Sequence, residues 1–287
     1  MNQARFAIVV DTSTNVNFEL AEKYDLELLL YNVQLGDKTY VDLVEITSRE
    51  FFEQMDQYDQ VLSGIPSPAY VSERIETLKE KGYEGALFIT TSRQLTGMYE
   101  LLNLIKRDVT DFQMEIVDDQ SVGAVGVLTA IWASHLRNEH MTLDQVAQII
   151  QNKVPDSGVY AVFRTLKYVV KGGRLNKLAG AIGSLLNIQP VLKADVSTGE
   201  LDIQKRVRGV KRSFQELVKV LEEELDPTRP YYLSLFAGGN DKELAQLKEQ
   251  LAPYIEASQL YIELDLTPVL GVHGGPKSLG AAYYYLD

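Results

Sequence analysis

The sequence predicts an α/β protein of two domains, the first of them built on a parallel sheet. Three observations carry this prediction. Short apolar runs alternate with amphipathic helical segments through the first half of the chain, which is typical of parallel α/β topology. Polar turns follow these runs, as they do at the ligand-binding carboxyl ends of parallel strands. The chain of 287 residues is long enough for two ordinary domains.

The repeated strand–turn–helix pattern ends near Pro155, where we place the domain boundary. We expect an N-terminal α/β domain over residues 1–155 and a C-terminal α/β domain over residues 156–287. Strands YAVFRT, YYLSLFA and LYIELD and the hairpin QPVLKADVSTGELDIQKRVRG indicate a mixed or antiparallel sheet in the second domain.

The first domain is predicted as repeated strand–turn–helix units. The strands are FAIVV, LELLLYNVQL, KTYVDL, GALFIT and MEIVDD, and SGIPSP is interpreted as a loop. Thr47 with Glu50 forms a capping-box pattern, and Ser67-Pro68 pairs an N-cap with a proline at the first helical position. Further helices are expected over residues 98–107 and 122–136 and after Thr142, then over residues 175–185 and 210–225 in the second half.

Composition excludes several classes of function. The formal net charge of −12 argues against a nucleic-acid binder or a protein held at an anionic membrane surface. The absence of cysteine excludes disulfides, thiolate metal sites and a cysteine nucleophile, and fits a reducing compartment. The first apolar run, Phe6 to Val10, is too short for a signal-peptide core, and no apolar stretch approaches the length of a membrane span. We therefore expect a cytoplasmic protein.

The stretch VLGVHGGPKSLG, interpreted as a glycine-lined loop, carries His273, one of three histidines. GVHGGPKS nearly matches the phosphate-binding loop G-x-x-x-x-G-K-S/T, but Pro276 stands at the second glycine position and removes a backbone donor. A hydrolase using a serine and this histidine stays open as an alternative, although the chain has no G-x-S-x-G elbow.

Metal binding has weaker support. His135 and His140 are five residues apart without an H-E-x-x-H arrangement, so we interpret both as surface histidines and predict no metal site. Asp118-Asp119 either binds a cation or forms a solvated turn at a strand end, and the turn is the favoured interpretation.

The remaining polar groups suit the holding of a carboxylate. An anion taken out of water needs several donors, and Ser63, Thr96, the N–H groups near Gly97 and His273 can supply them. Helix N-termini add positive dipole character at such turns. The alternative is that Ser63 and Thr96 only cap helices.

Two basic clusters contrast with the acidic whole: Lys167, Lys171, Arg174 and Lys177, then Lys205, Arg206, Arg208, Lys211 and Arg212. Each is either a solvated charged face or a docking site for an acidic partner or a phosphate.

Six segments in order resemble the DegV family, the bacterial fatty-acid-binding proteins that serve fatty acid kinase. VVDTSTN is similar to the family's D-S/T-S/T strand end, SGIPS stands where the family has T-S-Q-P-S, and SRQLTGMY resembles S-x-x-L-S-G-T-Y. VDDQSVGAVG, the long block beginning LKYVVKGGRLNK and GVHGGPKSLG resemble the remaining family motifs, so the resemblance covers nearly the whole chain.

The resemblance implies a two-domain α/β protein that buries a long-chain fatty acid in a tunnel. By position, Ser63, Thr96 and His273 then hold the carboxylate, together with the backbone at Gly97. Arg174 matches the family's arginine after the Gly-Gly pair, and it and Arg208 are candidate contacts for the head group or the kinase.

The protein implied is a carrier without catalytic residues, cofactor or metal. It presents the fatty acid to a separate kinase, similar to dihydroxyacetone kinases, which makes an acyl-phosphate for phospholipid synthesis. Ile65 and Met98 stand where the family has glutamine and threonine, so they are candidates for reshaping the tunnel. A carrier of another lipid-like acid is a further alternative, and we expect a monomer.

Overall fold

The computed structural model describes residues 5–175 and 188–287. The strands are β1 Phe6–Asp11, β2 Leu26–Leu29, β3 Asn32–Leu35, β4 Lys38–Val41, β5 Val61–Gly64, β6 Gly85–Thr90, β7 Gln113–Asp118, β8 Ser157–Val162, β9 Val191–Asp195, β10 Glu200–Lys205, β11 Tyr231–Ala237, β12 Leu260–Asp265 and β13 Leu279–Tyr285. The helices are α1 Phe18–Lys23, α2 Ser48–Gln54, α3 Pro68–Glu80, α4 Met98–Lys106, α5 Ala124–Asn138, α6 Leu143–Lys153, α7 Lys167–Lys171, α8 Val210–Glu224, α9 Asp241–Gln250, α10 Ala252–Ala257 and α11 Pro268–Gly274.

The first half of the chain is organised by a four-stranded sheet in the order β2-β1-β6-β7, in which all pairs are parallel. Helices α2, α3 and α6 begin where the sequence predicts, because Thr47 and Thr142 form capping boxes and the Ser67 hydroxyl caps α3. The parallel α/β prediction is confirmed.

The second half of the chain carries a mixed sheet in the order β10-β9-β8-β13-β11-β12. Only β11 and β12 pair in parallel, and the other neighbours are antiparallel. The mixed sheet and the β9–β10 hairpin were predicted, whereas β13, which lies between β8 and β11, was missed. Its sequence LGAAYYY is buried throughout and lacks the apolar–polar alternation that identifies a half-buried strand.

Two predictions about local structure are wrong. The run LELLLYNVQL is not one strand, because β2 joins the parallel sheet while β3 joins a small antiparallel sheet, β4-β3-β5. The chain changes sheets at Tyr31, whose N–H donates to Thr12 Oγ1 and whose carbonyl accepts from the Asp42 N–H. SGIPSP is not wholly a loop, because β5 extends through Ser63 to Gly64.

Helix α5 is buried on almost every face, because it packs on β1 and β6 of the parallel sheet and on β8, β11 and β13 of the mixed sheet. Its side chains therefore belong to one apolar cluster that joins both sheets. An amphipathic helix in this position would place its polar face against one of the two sheets. A helix packed between two sheets is therefore apolar on nearly all faces.

The predicted helix over 175–185, apart from buried Leu175, lies outside the described residues, as does Lys177. In the described ranges, no helix combines the length and apolarity needed to cross a bilayer.

Candidate functional site

His273 lies on helix α11 and not in a loop, which corrects the prediction. Thr267 and Pro268 start the helix with proline at its first position, and Gly275 ends it with φ +71°. The Thr-Pro signal was present in the sequence, but the surrounding glycines suggested a loop. Helix α11 reaches the N-terminal half of the chain, since Val269 and Val272 join the apolar cluster beneath the parallel sheet.

The imidazole of His273 meets the hydroxyl of Ser63, which β5 presents. Nε2 lies 2.9 Å from Ser63 Oγ, across 210 residues of sequence. Burial, and secondly the charge of Arg174, lowers the pKa of His273 to about 3, so the ring is neutral at pH 7. A neutral imidazole donates from only one ring nitrogen.

The edge of the imidazole that carries Nδ1 is closed off by Gly172. A Cβ built on Gly172 would lie 2.4 Å from His273 Nδ1. Among the described residues, no hydrogen-bond partner reaches Nδ1. The ring is thus positioned by a glycine contact and a serine hydroxyl, without a carboxylate behind it.

Thr96 lies in the loop before α4, and its Oγ1 is 2.6 Å from the hydroxyl of Tyr31. Neither Ser63 nor Thr96 caps a helix, because Ser67 caps α3 and Gly97 is the N-cap residue of α4. The interpretation of both hydroxyls as helix caps is therefore wrong. Sequence reasoning missed Tyr31, because the residue follows an apolar run and such a position predicts a side chain of the hydrophobic core.

Ser63, Thr96, Gly97, His273 and Arg174 line one cavity, here called the polar pocket, together with Tyr31 and Ile65. The N-terminus of α4 lies beside it, adding positive dipole character. The structure thus brings together five side chains and one glycine that the sequence singled out, from segments far apart in the chain.

Arg174 supplies the cationic group of the polar pocket. Its Nε donates to the Leu95 carbonyl at 3.1 Å, and its Nη1 donates to the Gly172 carbonyl. These bonds tie the loop before α4 to the glycine that abuts His273. Burial lowers the pKa of the guanidinium from its usual value, and the group stays protonated at any pH relevant to proteins.

The polar pocket adjoins an apolar cavity, since both are lined by Val122, Leu201, Leu270 and His273. The apolar cavity lies between the start of α5 and the mixed sheet, whose contribution is Val159, Ala161, Leu192, Ala194 and Phe236. Its walls are almost wholly hydrocarbon, with His273 at the polar end.

A third cavity, here called the basic pocket, shares Ser63, Arg174 and His273 with the polar pocket. Its further lining includes Lys167 and Lys171 of the first basic cluster, with Asp59 as a carboxylate among them. His273 therefore lies where apolar, polar and basic cavities meet.

Two of the predicted residues lie elsewhere. Met98 is fully buried in the apolar cluster of the parallel sheet and lines none of these three cavities. Arg208 is exposed between β10 and α8, and also lines none of them.

The Asp118-Asp119 turn is buried rather than solvated, which corrects the prediction. Asp119 Oδ1 accepts from the Ser121 N–H at 2.8 Å, and Asp118 pairs with Arg93. Burial raises the pKa of Asp119 well above its usual range.

His135 is partly buried rather than a plain surface residue, because its Nδ1 lies 2.6 Å from the Tyr232 hydroxyl. His140 is exposed. Within residues 5–175 and 188–287, no three His, Asp or Glu side chains come together as a metal site.

The fold and site define a two-domain α/β protein whose adjoining cavities present hydrocarbon walls on one side and hydroxyl, imidazole and guanidinium groups on the other. The chain belongs to the DegV family: the profile described as "Uncharacterised protein, DegV family" matches residues 5–286. A DegV domain-containing protein of Clostridium acetobutylicum is 27% identical over 282 residues, covering 98% of this chain and 99% of that protein.

Solved structures share the fold over nearly the whole chain. A DegV family protein of Thermus thermophilus, described by its fatty acid binding, is 22% identical with a TM-score of 0.88, covering 98% of this chain and 100% of that one. DegV of Bacillus subtilis, described as a fatty acid binding protein, is 19% identical with a TM-score of 0.89, covering 99% and 100%.

Proposed function

We propose that this protein binds a long-chain fatty acid, with the hydrocarbon in the apolar cavity and the carboxylate in the polar pocket. The observation that carries the proposal is the shared wall of the two cavities, where His273 joins hydrocarbon lining to a cluster of donors. The fatty acid binding described for the Thermus and Bacillus proteins supports it.

The energetics favour an acyl chain. Burying a C16 chain at about 0.8 kcal/mol per CH₂ contributes roughly 12 kcal/mol before ordering and association costs. The residues around the head group then have to replace the water that the carboxylate loses on binding. Ser63 and Thr96 provide hydroxyl donors, and the Arg174 guanidinium provides the positive charge.

A carrier fits the Ser63–His273 pair better than a hydrolase does. A general base works best with a pKa near the working pH, whereas burial lowers the pKa of His273 to about 3. A nucleophile–base pair also uses a third group to orient the base, and here Gly172 abuts Nδ1. The imidazole therefore serves to orient the Ser63 hydroxyl.

The finer part of the proposal is that a separate fatty acid kinase phosphorylates the bound carboxylate. The basic pocket supports it, because Lys167 and Lys171 lie next to the head-group residues in an otherwise acidic protein. Reconstitution with a bacterial fatty acid kinase of the dihydroxyacetone-kinase type and ATP should yield an acyl-phosphate that hydroxylamine traps.

We also propose that the protein is a cytoplasmic monomer with a domain boundary near residue 155. Light scattering checks the oligomeric state, and limited proteolysis checks the boundary.

Mass spectrometry of the organic extract from purified protein tests the binding proposal. One fatty acid in stoichiometric amount is expected, and consistent absence of any acyl ligand would contradict the proposal.

The substitution A194F tests the location of the acyl chain, because Ala194 lines the apolar cavity and a phenyl ring there would occupy it. The variant should lose C16 binding, while A257F, on the exposed face of α10, should not.

A further inference from the structure

We propose that Tyr31 is a positioning residue that turns the Thr96 hydroxyl into a donor and so makes the polar pocket selective for a carboxylate. The inference rests on the proposed function. Its basis is the 2.6 Å bond between Tyr31 Oη and Thr96 Oγ1, with both residues lining the same pocket.

The place of Tyr31 is fixed independently of Thr96. Its N–H donates to Thr12 Oγ1 at 3.3 Å and its carbonyl accepts from the Asp42 N–H at 2.9 Å. The side chain is only 3% exposed, and the ring packs in the apolar cluster under the parallel sheet. Backbone and ring therefore hold the phenol oxygen against Thr96 before any ligand arrives.

We assign Tyr31 as the donor of this hydrogen bond on the ground of acidity. A phenol is a better donor than an aliphatic alcohol, and burial together with the nearby Asp11 carboxyl raises the pKa of Tyr31, which keeps its proton in place. When Tyr31 donates to Thr96 Oγ1, the single proton of Thr96 is free to point into the pocket. A carboxylate accepts that proton, and the chain of two hydroxyls strengthens the bond.

Ser13 and Asp11 extend the network behind Tyr31. Ser13 Oγ donates to Asp11 Oδ1, and the Ser13 N–H donates to the same oxygen at 2.8 Å. Ser13 also lines the polar pocket and lies 2.9 Å from Thr91 Oγ1. The protons of Ser13 and Thr91 are directed at Asp11 Oδ1 and at the Ser13 carbonyl, so on this wall it is the Thr96 proton that remains for a ligand.

The Ser63 hydroxyl has a comparable partner in the polar pocket, because His273 Nε2 lies 2.9 Å from Ser63 Oγ. When Nε2 carries the imidazole proton, His273 donates to Ser63 Oγ and leaves the Ser63 proton for the ligand. A neutral alcohol donates as well as accepts, so it can use the hydroxyls in either orientation. A carboxylate needs both turned toward it, which is the origin of the selectivity.

The test measures binding of hexadecanoic acid and hexadecanol to delipidated protein for the parent, Y31F, T96V and Y31F/T96V. Y31F keeps the ring and removes one hydrogen bond, so affinity for the acid should fall about three- to tenfold. Affinity for the alcohol should change less than twofold. In the T96V background, Y31F should change acid binding less than twofold, because Tyr31 acts through Thr96.

Y284F is the matched control, since Tyr284 is another fully buried tyrosine and does not line the three cavities. Equal losses for acid and alcohol, or an equal loss in the T96V background, would overturn the inference. If the parent binds the acid and Y31F matches it, only the role of Tyr31 fails. If the delipidated parent binds neither probe, the proposed function fails and this inference falls with it.

Discussion

The contact between Gly172 and His273 allows a sharp test of the site, the substitution G172A. Gly172 has φ −71° and ψ −7°, which alanine adopts without strain. The new Cβ would lie 2.4 Å from His273 Nδ1, about 1 Å closer than an ordinary contact. The imidazole has to move by roughly that distance, and its 2.9 Å bond to Ser63 cannot survive such a shift.

Two effects of known size follow from this displacement. Overpacking a well-packed position costs about 1–3 kcal/mol of folding free energy, or roughly 2–12 °C in Tm for a domain of this size. Losing an oriented hydrogen bond to a charged ligand group costs about 1.5–3 kcal/mol, so fatty acid affinity should fall about 10- to 150-fold. Thermal unfolding and fatty acid titration of delipidated protein measure the two effects separately.

The chain offers a matched control in G64A, next to Ser63. A Cβ on Gly64 meets nothing within 4 Å, so stability and affinity should stay near those of the parent. In the H273A background the G172A stability cost should largely disappear, because the ring that it displaces is gone. If G172A behaves like G64A, or costs as much stability without the imidazole, the geometry argued for His273 is refuted.

Two further predictions concern buried charges. Burial raises the pKa of Asp42 to about 7, so between pH 4 and 7 the folded protein binds a proton that the unfolded chain has released. Stability should fall as pH rises, by about 2–3 kcal/mol from pH 5 to pH 8 for this group alone. D42N should remove this part of the pH slope in urea unfolding, while the buried Asp11 and Asp119 carboxyls, whose pKa values are also raised, keep theirs. Parallel pH profiles of parent and variant would contradict the assignment. R174M should raise the pKa of His273 while leaving it below 6.5, because burial is the larger cause and the Arg174 charge the smaller one. Titration of the histidine NMR signals measures this, and an unchanged pKa would show that Arg174 has no such influence.

Local sequence signals predicted the elements well where a cap or a period was present. The capping boxes at Thr47 and Thr142 and the Ser67-Pro68 start are examples, because each is a local bond whose partners are only a few residues apart. Signals failed where tertiary contacts decide the conformation. The division of LELLLYNVQL between two sheets depends on Thr12 and Asp42, neither of which lies within that run.

The candidate site shows the same limit. Ser63, Thr96 and His273 were singled out by their chemistry and by family motifs, but the bond between Ser63 and His273 spans 210 residues and no local pattern encodes it. Tyr31 had no polar neighbourhood in the sequence to draw attention to its hydroxyl. Met98 illustrates the opposite error, because a substitution at a motif position drew attention to a side chain that is packed in the core.

The place of β13 in the mixed sheet has a consequence for biosynthesis. This strand is the last of the six to leave the ribosome, yet it pairs with both β8 and β11. Until it is translated, those two strands present open edges of unpaired N–H and C=O groups, which are the surfaces that nucleate aggregation. The parallel sheet carries no such dependence, because its four strands precede residue 119. The strands of the parallel sheet can therefore pair during synthesis, whereas the mixed sheet stays incomplete until β13 has emerged.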